Sequence, residues 1–183
     1  MSSPSPQAGK RRLTTRETTL LAIMGALMFA TQVAMASLPN IHIVAVLIIL
    51  STFFFRWRAL YAIFVFDLLE GIMYGFGIWW ISYLYIWAIL VALVMLLGRS
   101  SSPLFWACIA GVYGLSFGAF CSIPYLFIGG TSMAFAYWVS GITFDLIHCG
   151  GNFVMTLVLI KPLYRAMALA LGSDKPNMFP KAE

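Results

Sequence analysis

The sequence predicts an all-α integral membrane protein with six transmembrane helices and both termini in the cytoplasm. This fold class rests on the composition and on the placement of the basic residues. Of the 183 residues, 62% are hydrophobic and 9% are charged, whereas a soluble domain carries about 25% charged residues. The composition therefore excludes a soluble enzyme, a nucleic-acid-binding protein and a disordered chain.

Apolar segments recur along most of the chain. A helix needs about 20 apolar residues to cross the roughly 30 Å hydrocarbon core, so the chain has room for about six crossings and no separate soluble domain. The predicted helices, numbered one to six in chain order, cover residues 19–38, 41–55, 59–77, 80–97, 104–127 and 133–160. Helix breakers separate them at Pro39-Asn40, Arg56-Trp57-Arg58, Gly75-Phe76-Gly77, Arg99 to Pro103 and Gly129-Gly130. We therefore predict cytoplasmic tails over 1–18 and 166–183 and a transmembrane domain over 19–165.

The basic residues lie at alternate ends of these helices. They are Lys10, Arg11, Arg12 and Arg16 in the N-terminal tail, Arg56 and Arg58 in the second connection, Arg99 in the fourth, and Lys161 and Arg165 after the sixth helix. The first, third and fifth connections contain no Lys or Arg. Because cytoplasmic connections of membrane proteins are enriched in basic residues, both termini are predicted to be cytoplasmic.

Two predicted helices carry polar side chains at matched spacing. Asp67, Glu70 and Tyr74 share one face of the third helix, and Asp145, His148 and Asn152 share one face of the sixth. A charged side chain at the bilayer centre costs about 2.5–3.5 kcal/mol, so each needs a partner. We predict that the two stripes face each other across a polar interior. Hydrogen bonds that only join helices are the alternative explanation.

Aromatic residues crowd the predicted outer ends. They are Trp79, Trp80, Tyr83, Tyr85 and Trp87 near the start of the fourth helix, and Tyr125, Phe127, Tyr137 and Trp138 around the fifth connection. An interfacial belt explains such residues in many membrane proteins, but the inner ends hold fewer of them. We therefore predict that the group lines the mouth of a ligand site, to which Asn40 and His42 add polar contacts.

Small residues form a stripe on the first helix. Ala22, Ala26, Ala30 and Ala34 recur at every fourth position, which allows another helix to approach closely. Packing within the bundle is the alternative use of this stripe. Gln32 lies on roughly the opposite face.

Catalytic and metal-binding motifs are weak. The segment from Gly114 to Gly118 matches G-x-S-x-G around Ser116, but that motif requires a strand-to-helix turn, whereas here it lies in an apolar helix. Close helix packing explains its glycines better. His42 and His148 are separated by four predicted helices and have no cluster of metal ligands nearby in sequence. Cys108, Cys121 and Cys149 are expected to be free thiols.

The chain resembles the substrate-binding S components of energy-coupling-factor (ECF) transporters, the vitamin importers of bacteria. The resemblance covers roughly residues 14–165 and rests on the six predicted helices, the alanine stripe and several short strings. The strings are Leu38-Pro39-Asn40-Ile41, Leu69-Glu70-Gly71, Tyr74-Gly75-Phe76-Gly77 with Trp79-Trp80, Cys121-Ser122-Ile123-Pro124-Tyr125 and Phe144-Asp145-Leu146-Ile147-His148-Cys149. They are most similar to the cobalamin-specific CbrT subgroup.

This resemblance implies a binding subunit in a bacterial plasma membrane. Its vitamin, cobalamin in the CbrT subgroup, would bind in a pocket open to the outside. A membrane coupling subunit would dock on Ala22, Ala26 and Ala30, and two ABC ATPases would use ATP and Mg²⁺. The chain itself would then need no catalytic residue, metal or cofactor and no nucleic acid. The residues expected at the vitamin are Asn40, His42, Glu70, Tyr74, Trp79, Trp80, Tyr83, Trp87, Tyr125, Tyr137, Asp145 and His148.

Other functions stay open from the residues alone. A smaller vitamin, such as pantothenate or a pyridoxine-like compound, could use the same side-chain types. A self-sufficient proton-coupled carrier would use Asp67, Glu70, Asp145 and His148 as a proton relay. A membrane enzyme built on Ser116 is the third class.

Overall fold

The computed structural model describes residues 13–38, 40–98, 100–172 and 179. All regular secondary structure within these residues is helical. The elements are α1 (Thr15–Ala34), α2 (Val44–Phe55), a 3₁₀ turn (Arg56–Arg58), α3 (Ala59–Tyr74), α4 (Ile78–Leu97), α5 (Pro103–Leu115), α6 (Phe117–Cys121), α7 (Ile123–Ser140) and α8 (Ile142–Leu171). Several predictions concern residues outside this part of the chain, namely Lys10, Arg11, Arg12, Pro39, Arg99 and most of both tails. The all-α prediction is confirmed for the described residues.

The helices have the length and surface of a membrane protein. Among the described residues, four segments are long and apolar enough to cross a membrane, namely Thr15–Ala34, Val44–Tyr74, Ile78–Leu97 and Ile142–Leu171. Large apolar side chains point outward, with Leu96 84% and Leu169 82% exposed. Apolar surface of this extent suits lipid rather than water. The prediction of a multi-pass membrane protein is thus supported, and the predicted count of six crossings is not confirmed by the length and composition of the described helices.

One of these four segments, Val44–Tyr74, contains two helices and a reversal of the chain. Arg56 has φ 55° and ψ −135°, outside the helical region, where α2 meets the 3₁₀ turn. The residues before α2 and the last residue of α3, Tyr74, line the same cavity, so the two helices run in opposite directions. With 12 and 16 residues, each is shorter than the roughly 20 residues of a full crossing.

The last third of the chain is more broken than predicted. The helix predicted over 104–127 consists of α5, α6 and the start of α7, because ψ departs from its α-helical value, to −3° at Ser116 and −17° at Ser122. The Ser116 hydroxyl donates to the Val112 carbonyl, 2.9 Å away, at the end of α5. The helix predicted over 133–160 is likewise divided at Gly141, and α8 continues past residue 160 to Leu171. The predicted break at Gly129-Gly130 is confirmed, since both residues have non-helical backbone angles inside α7.

Glycines allow α5 and α6 to lie directly against α8. A Cβ atom at Gly114 would stand 2.8 Å from the His148 carbonyl oxygen, and one at Gly111 would stand 3.4 Å from that of Cys149. At Gly118 a Cβ atom would collide with the Asp145 carboxyl. Both main-chain and side-chain atoms of α8 thus occupy the space that larger residues would need. The segment around Ser116 is a packing surface, as predicted.

The two ends of the bundle differ in character. At one end the Arg16 guanidinium donates to the Ala170 carbonyl across 2.5 Å, joining the start of α1 to the end of α8. Arg58 of the 3₁₀ turn lies 3.9 Å from Glu17 at the same end. We call this the arginine end. The opposite end contains the candidate site.

Candidate ligand cavity

A cavity of about 340 Å³ lies at the end of the bundle opposite the arginine end. Five of the sequence-predicted site residues line it: Asn40, His42, Tyr74, Tyr83 and His148. They come from the first connection, the end of α3, the start of α4 and the first turns of α8. The fold therefore brings together residues that lie far apart in the sequence. A cavity of this size falls in the range of small-molecule sites, about 300–1,000 Å³.

Other lining residues were not predicted from the sequence. They are Gln32, Met35, Ala36, Leu38, Ile41, Phe117 and Phe144. The end of α1 and the residues that follow it thus form a wall of the cavity, whereas the alanine stripe predicts only a helix-packing surface on α1. Gln32 offered a signal, because an amide in an apolar helix needs a polar surrounding. For Phe117 and Phe144, the only sequence signal was that each directly precedes a residue singled out above, Gly118 and Asp145.

Two histidines meet at the cavity. The ring centres of His42 and His148 lie 4.9 Å apart, with the rings inclined at 66°. The His148 side chain also packs against Phe117, with ring centres 4.8 Å apart. It is 1% exposed, and neither of its ring nitrogens has a hydrogen-bond partner among the described residues. An unpaired buried polar group costs about 1–3 kcal/mol. A ligand that forms hydrogen bonds with these nitrogens would offset that cost.

A close approach of the first connection to α8 brings the histidines together. A Cβ atom at Gly151 would stand 3.0 Å from the Asn40 carbonyl oxygen. Asn40 has φ 61°, and its side-chain amide donates to the Phe144 carbonyl at 3.5 Å. His42 precedes α2, outside the membrane-spanning segments, and burial lowers its pKa to about 4. The His42 imidazole is therefore neutral at pH 7.

Asp67 and Glu70 lie behind the cavity wall. Both are buried and do not line the cavity themselves. The Gln32 side chain lies beside the Glu70 carboxyl and the Tyr83 hydroxyl, so two lining residues stand next to this carboxyl. The Trp80 indole donates to the Asp67 carbonyl across 2.7 Å, which fixes the start of α4 on α3.

Asp145 and Asn152 face the glycines of α5 and α6. One Asp145 oxygen, Oδ1, accepts a hydrogen bond from the Gly118 backbone amide at 2.9 Å. The Asn152 amide nitrogen would stand 2.9 Å from a Cβ atom at Gly114. Neither residue lines the cavity. These two members of the second polar stripe thus contact helix backbone.

Helices α3 and α8, which carry the two polar stripes, are not each other's main packing partners. Helix α3 packs chiefly on α1 and α4, whereas α8 packs chiefly on α5 and α2. Helix α2 packs against both α3 and α8. What meets at the cavity is Tyr83, which neighbours the first stripe, and His148 of the second.

Most of the predicted aromatic residues lie outside the cavity lining. Trp87 is 1% exposed and packs among other rings of the core, with the Tyr83 ring centre 5.3 Å away. Trp79 packs edge-on against Tyr83. Tyr125 and Tyr137 stack on each other at 4.2 Å. These side chains therefore pack on the lining residue Tyr83 or on one another, and their predicted contact with a ligand stays a prediction.

Within the described ranges, no three His, Cys, Asp or Glu side chains converge as they would around a metal ion. Cys108, Cys121 and Cys149 are free thiols.

Comparison with protein-family models, curated proteins and solved structures finds no match for this chain. The class that the fold and the cavity define is a multi-pass helical membrane protein with a small-molecule cavity at one end.

Proposed function

We propose that the chain is the substrate-binding S component of an ECF-type importer in a bacterial plasma membrane. It captures a vitamin at the extracellular face and delivers it inward with a membrane coupling subunit and two ABC ATPases. The observation that carries the proposal is the cavity, because five predicted ligand residues meet there at the end opposite the arginine end. A binding subunit needs such a site and no catalytic residue of its own.

The proposed topology has six membrane-embedded helical segments with both termini cytoplasmic. The hydrogen bond between Arg16 and the Ala170 carbonyl supports it, since it joins the beginning of α1 to the end of α8. Basic residues favour the cytoplasmic side, so the arginine end faces the cytoplasm in this proposal. The cavity then opens to the outside.

The alanine stripe of α1 is free to contact a partner helix. Ala22, Ala26 and Ala30 are exposed, whereas Gly25 is buried against α3. A Cβ atom at Gly25 would stand 2.7 Å from that of Val65, so close packing inside the bundle uses the glycine and not the alanines. Small exposed residues let a second helix approach closely in lipid. This supports α1 as the contact surface for the coupling subunit.

Cobalamin is the proposed vitamin, on the similarity of the sequence strings to the CbrT subgroup. A pantothenate- or pyridoxine-sized vitamin is the alternative, which the cavity volume favours. At about 340 Å³, the cavity is at the small end of ligand sites. The corrin ring and amide arms of cobalamin would require the wall formed by the first connection to move outward.

Native mass spectrometry of the purified chain tests the proposal directly. We expect one vitamin to co-purify, and uptake into sealed vesicles to require the coupling subunit, both ATPases and ATP. Uptake by the chain alone without ATP would contradict the proposal and would indicate the proton-coupled carrier instead. In that case Asp145→Asn should abolish a pH-dependent flux.

A further inference from the structure

The described side chains that line the cavity carry no positive charge. Within the described part of the chain, the lining consists of apolar and aromatic residues, two amides and the two histidines, with neither Lys nor Arg. Along α8, the first basic residue after His148 is Lys161, which is about 20 Å away at 1.5 Å per residue. Arg16 and Arg58 lie at the arginine end. An anion in the cavity would therefore have no full positive charge beside it.

The histidines supply hydrogen bonds rather than charge. A neutral imidazole donates through one ring nitrogen and accepts through the other. His42 Nδ1 and both ring nitrogens of His148 lack partners among the described residues. The pair thus suits a ligand with N–H or O–H groups to donate and oxygen or nitrogen atoms to accept.

The carboxyls near the cavity also disfavour an anion. Glu70 lies beside Gln32, and Asp145 directly follows the lining residue Phe144. When ionised, these groups repel an anion, and when protonated they do not attract one. Neither protonation state provides the opposite charge that a desolvated anion needs.

Helix N-termini are the remaining source of positive potential. Helices α2 and α8 begin beside the cavity, and each N-terminus is equivalent to about half an elementary charge. Asp145 in the first turn of α8 already offsets that end, and it also accepts the Gly118 amide near the start of α6. The partial positive charge that remains at these N-termini does not offset the cost of removing a carboxylate or phosphate from water, which is several kcal/mol.

We propose that this cavity selects uncharged or cationic polar ligands that hydrogen-bond to His42 and His148, and that it rejects carboxylates and phosphates. The inference rests on the proposed function, since it concerns the vitamin site of that function. It narrows the alternatives considered there: it excludes pantothenate, a carboxylate, and admits pyridoxine and the amide-bearing corrin ring, whereas the phosphodiester of the cobalamin nucleotide loop must stay outside the cavity.

Matched ligand pairs test this selectivity. The full chain, purified in detergent, is titrated by calorimetry with panthenol against pantothenate and with pyridoxine against pyridoxine 5′-phosphate, and separately with cobalamin and cobinamide. In any pair that binds, we expect the uncharged member to bind at least about tenfold more tightly, or 1.4 kcal/mol. An anionic member that binds as tightly as its partner overturns the inference and leaves the proposed function intact. Where neither pair binds, cobinamide, which lacks the phosphodiester of cobalamin, should bind at least as tightly as cobalamin, and binding of cobalamin without binding of cobinamide would overturn the inference.

A charge placed in the wall provides the second measurement. Tyr74 lines the cavity and is 51% exposed, so Tyr74→Lys adds a cation without burying it, and Tyr74→Gln is the matched neutral control. We expect the lysine variant alone to gain affinity for pantothenate or pyridoxine 5′-phosphate. Equal anion affinity in both variants would contradict the inference. Failure of the unaltered chain to bind any of the six compounds would overturn the proposed function and, with it, this inference.

Discussion

The Gly118 backbone amide donates a hydrogen bond to the Asp145 carboxylate oxygen Oδ1 at 2.9 Å, which links α6 to α8. The carboxyl lies so close to Gly118 that a Cβ atom there would overlap it. The bond and the absence of a side chain therefore depend on each other. This contact holds the start of α8, including His148, at the cavity.

Gly118→Ala should destabilise the protein by about 1–3 kcal/mol, because the added methyl group forces the Asp145 carboxyl away from its donor. Thermal unfolding in detergent, followed by tryptophan fluorescence, measures the loss. Gly150→Ala is the matched control, since a Cβ atom at this position of α8 meets nothing within 4 Å. Equal melting temperatures for the two variants would show that the Gly118 contact is not close.

Trp87 should contribute to the stability of the protein, and Tyr74 should contribute to ligand binding. Trp87 is buried in the core, so Trp87→Ala should cost about 3–5 kcal/mol of stability. Tyr74→Ala removes an exposed lining side chain and should weaken ligand binding while leaving the melting temperature nearly unchanged. The melting temperature of each variant and its calorimetric affinity for the ligand that co-purifies distinguish an effect on stability from an effect on binding. Lost affinity with normal stability in the Trp87 variant would instead place its indole at the ligand.

Ala26→Leu should weaken assembly with the coupling subunit, because a bulky side chain prevents close approach of a partner helix. Ligand binding by the isolated chain should stay unchanged, since Ala26 faces outward on α1. Co-purification with the coupling subunit measures assembly, and Val158→Leu on the exposed surface of α8 is the control. Lost ligand binding with normal assembly would contradict the assignment of this surface.

His42 should make the folded protein sensitive to acid. Burial lowers its pKa from 6.5 to about 4, so between these values the unfolded chain binds more protons than the folded one. Stability should therefore fall as the pH is lowered from about 6.5 to 4. Melting temperatures of the native protein and of His42→Gln across this range isolate the contribution. The native protein should show the steeper decline, and identical slopes would contradict the assigned burial.

The sequence predicted features that depend on local chemistry. The Gly129-Gly130 break and the turn at Arg56 to Arg58 follow from residues that disrupt a helix where they stand. The breaks at Ser116 and Ser122 were missed because the surrounding residues stay apolar, so hydropathy does not change there. Only the shift of the backbone ψ angle toward 0° distinguishes those positions.

The candidate site was predicted in part, for a physical reason. Residues such as His148 and Tyr83 stand out because polar and aromatic groups in apolar helices need partners. Which of them share a cavity depends on helix neighbours, and the spacing along α3 and α8 carries no information on α2, which packs against both. The position of Gln32 in the cavity lining and the stacking of Tyr125 on Tyr137 both depend on how the helices are arranged.

The opposition between the cavity and the arginine end has a consequence for reconstitution. A chain inserted at random into sealed vesicles presents the cavity to the external buffer in only some molecules and shows the arginine end in the rest. A ligand that cannot cross lipid would then reach fewer sites in vesicles than in detergent, and opening the vesicles would restore the missing sites. Binding stoichiometry would thus report the direction of insertion without any label on the protein.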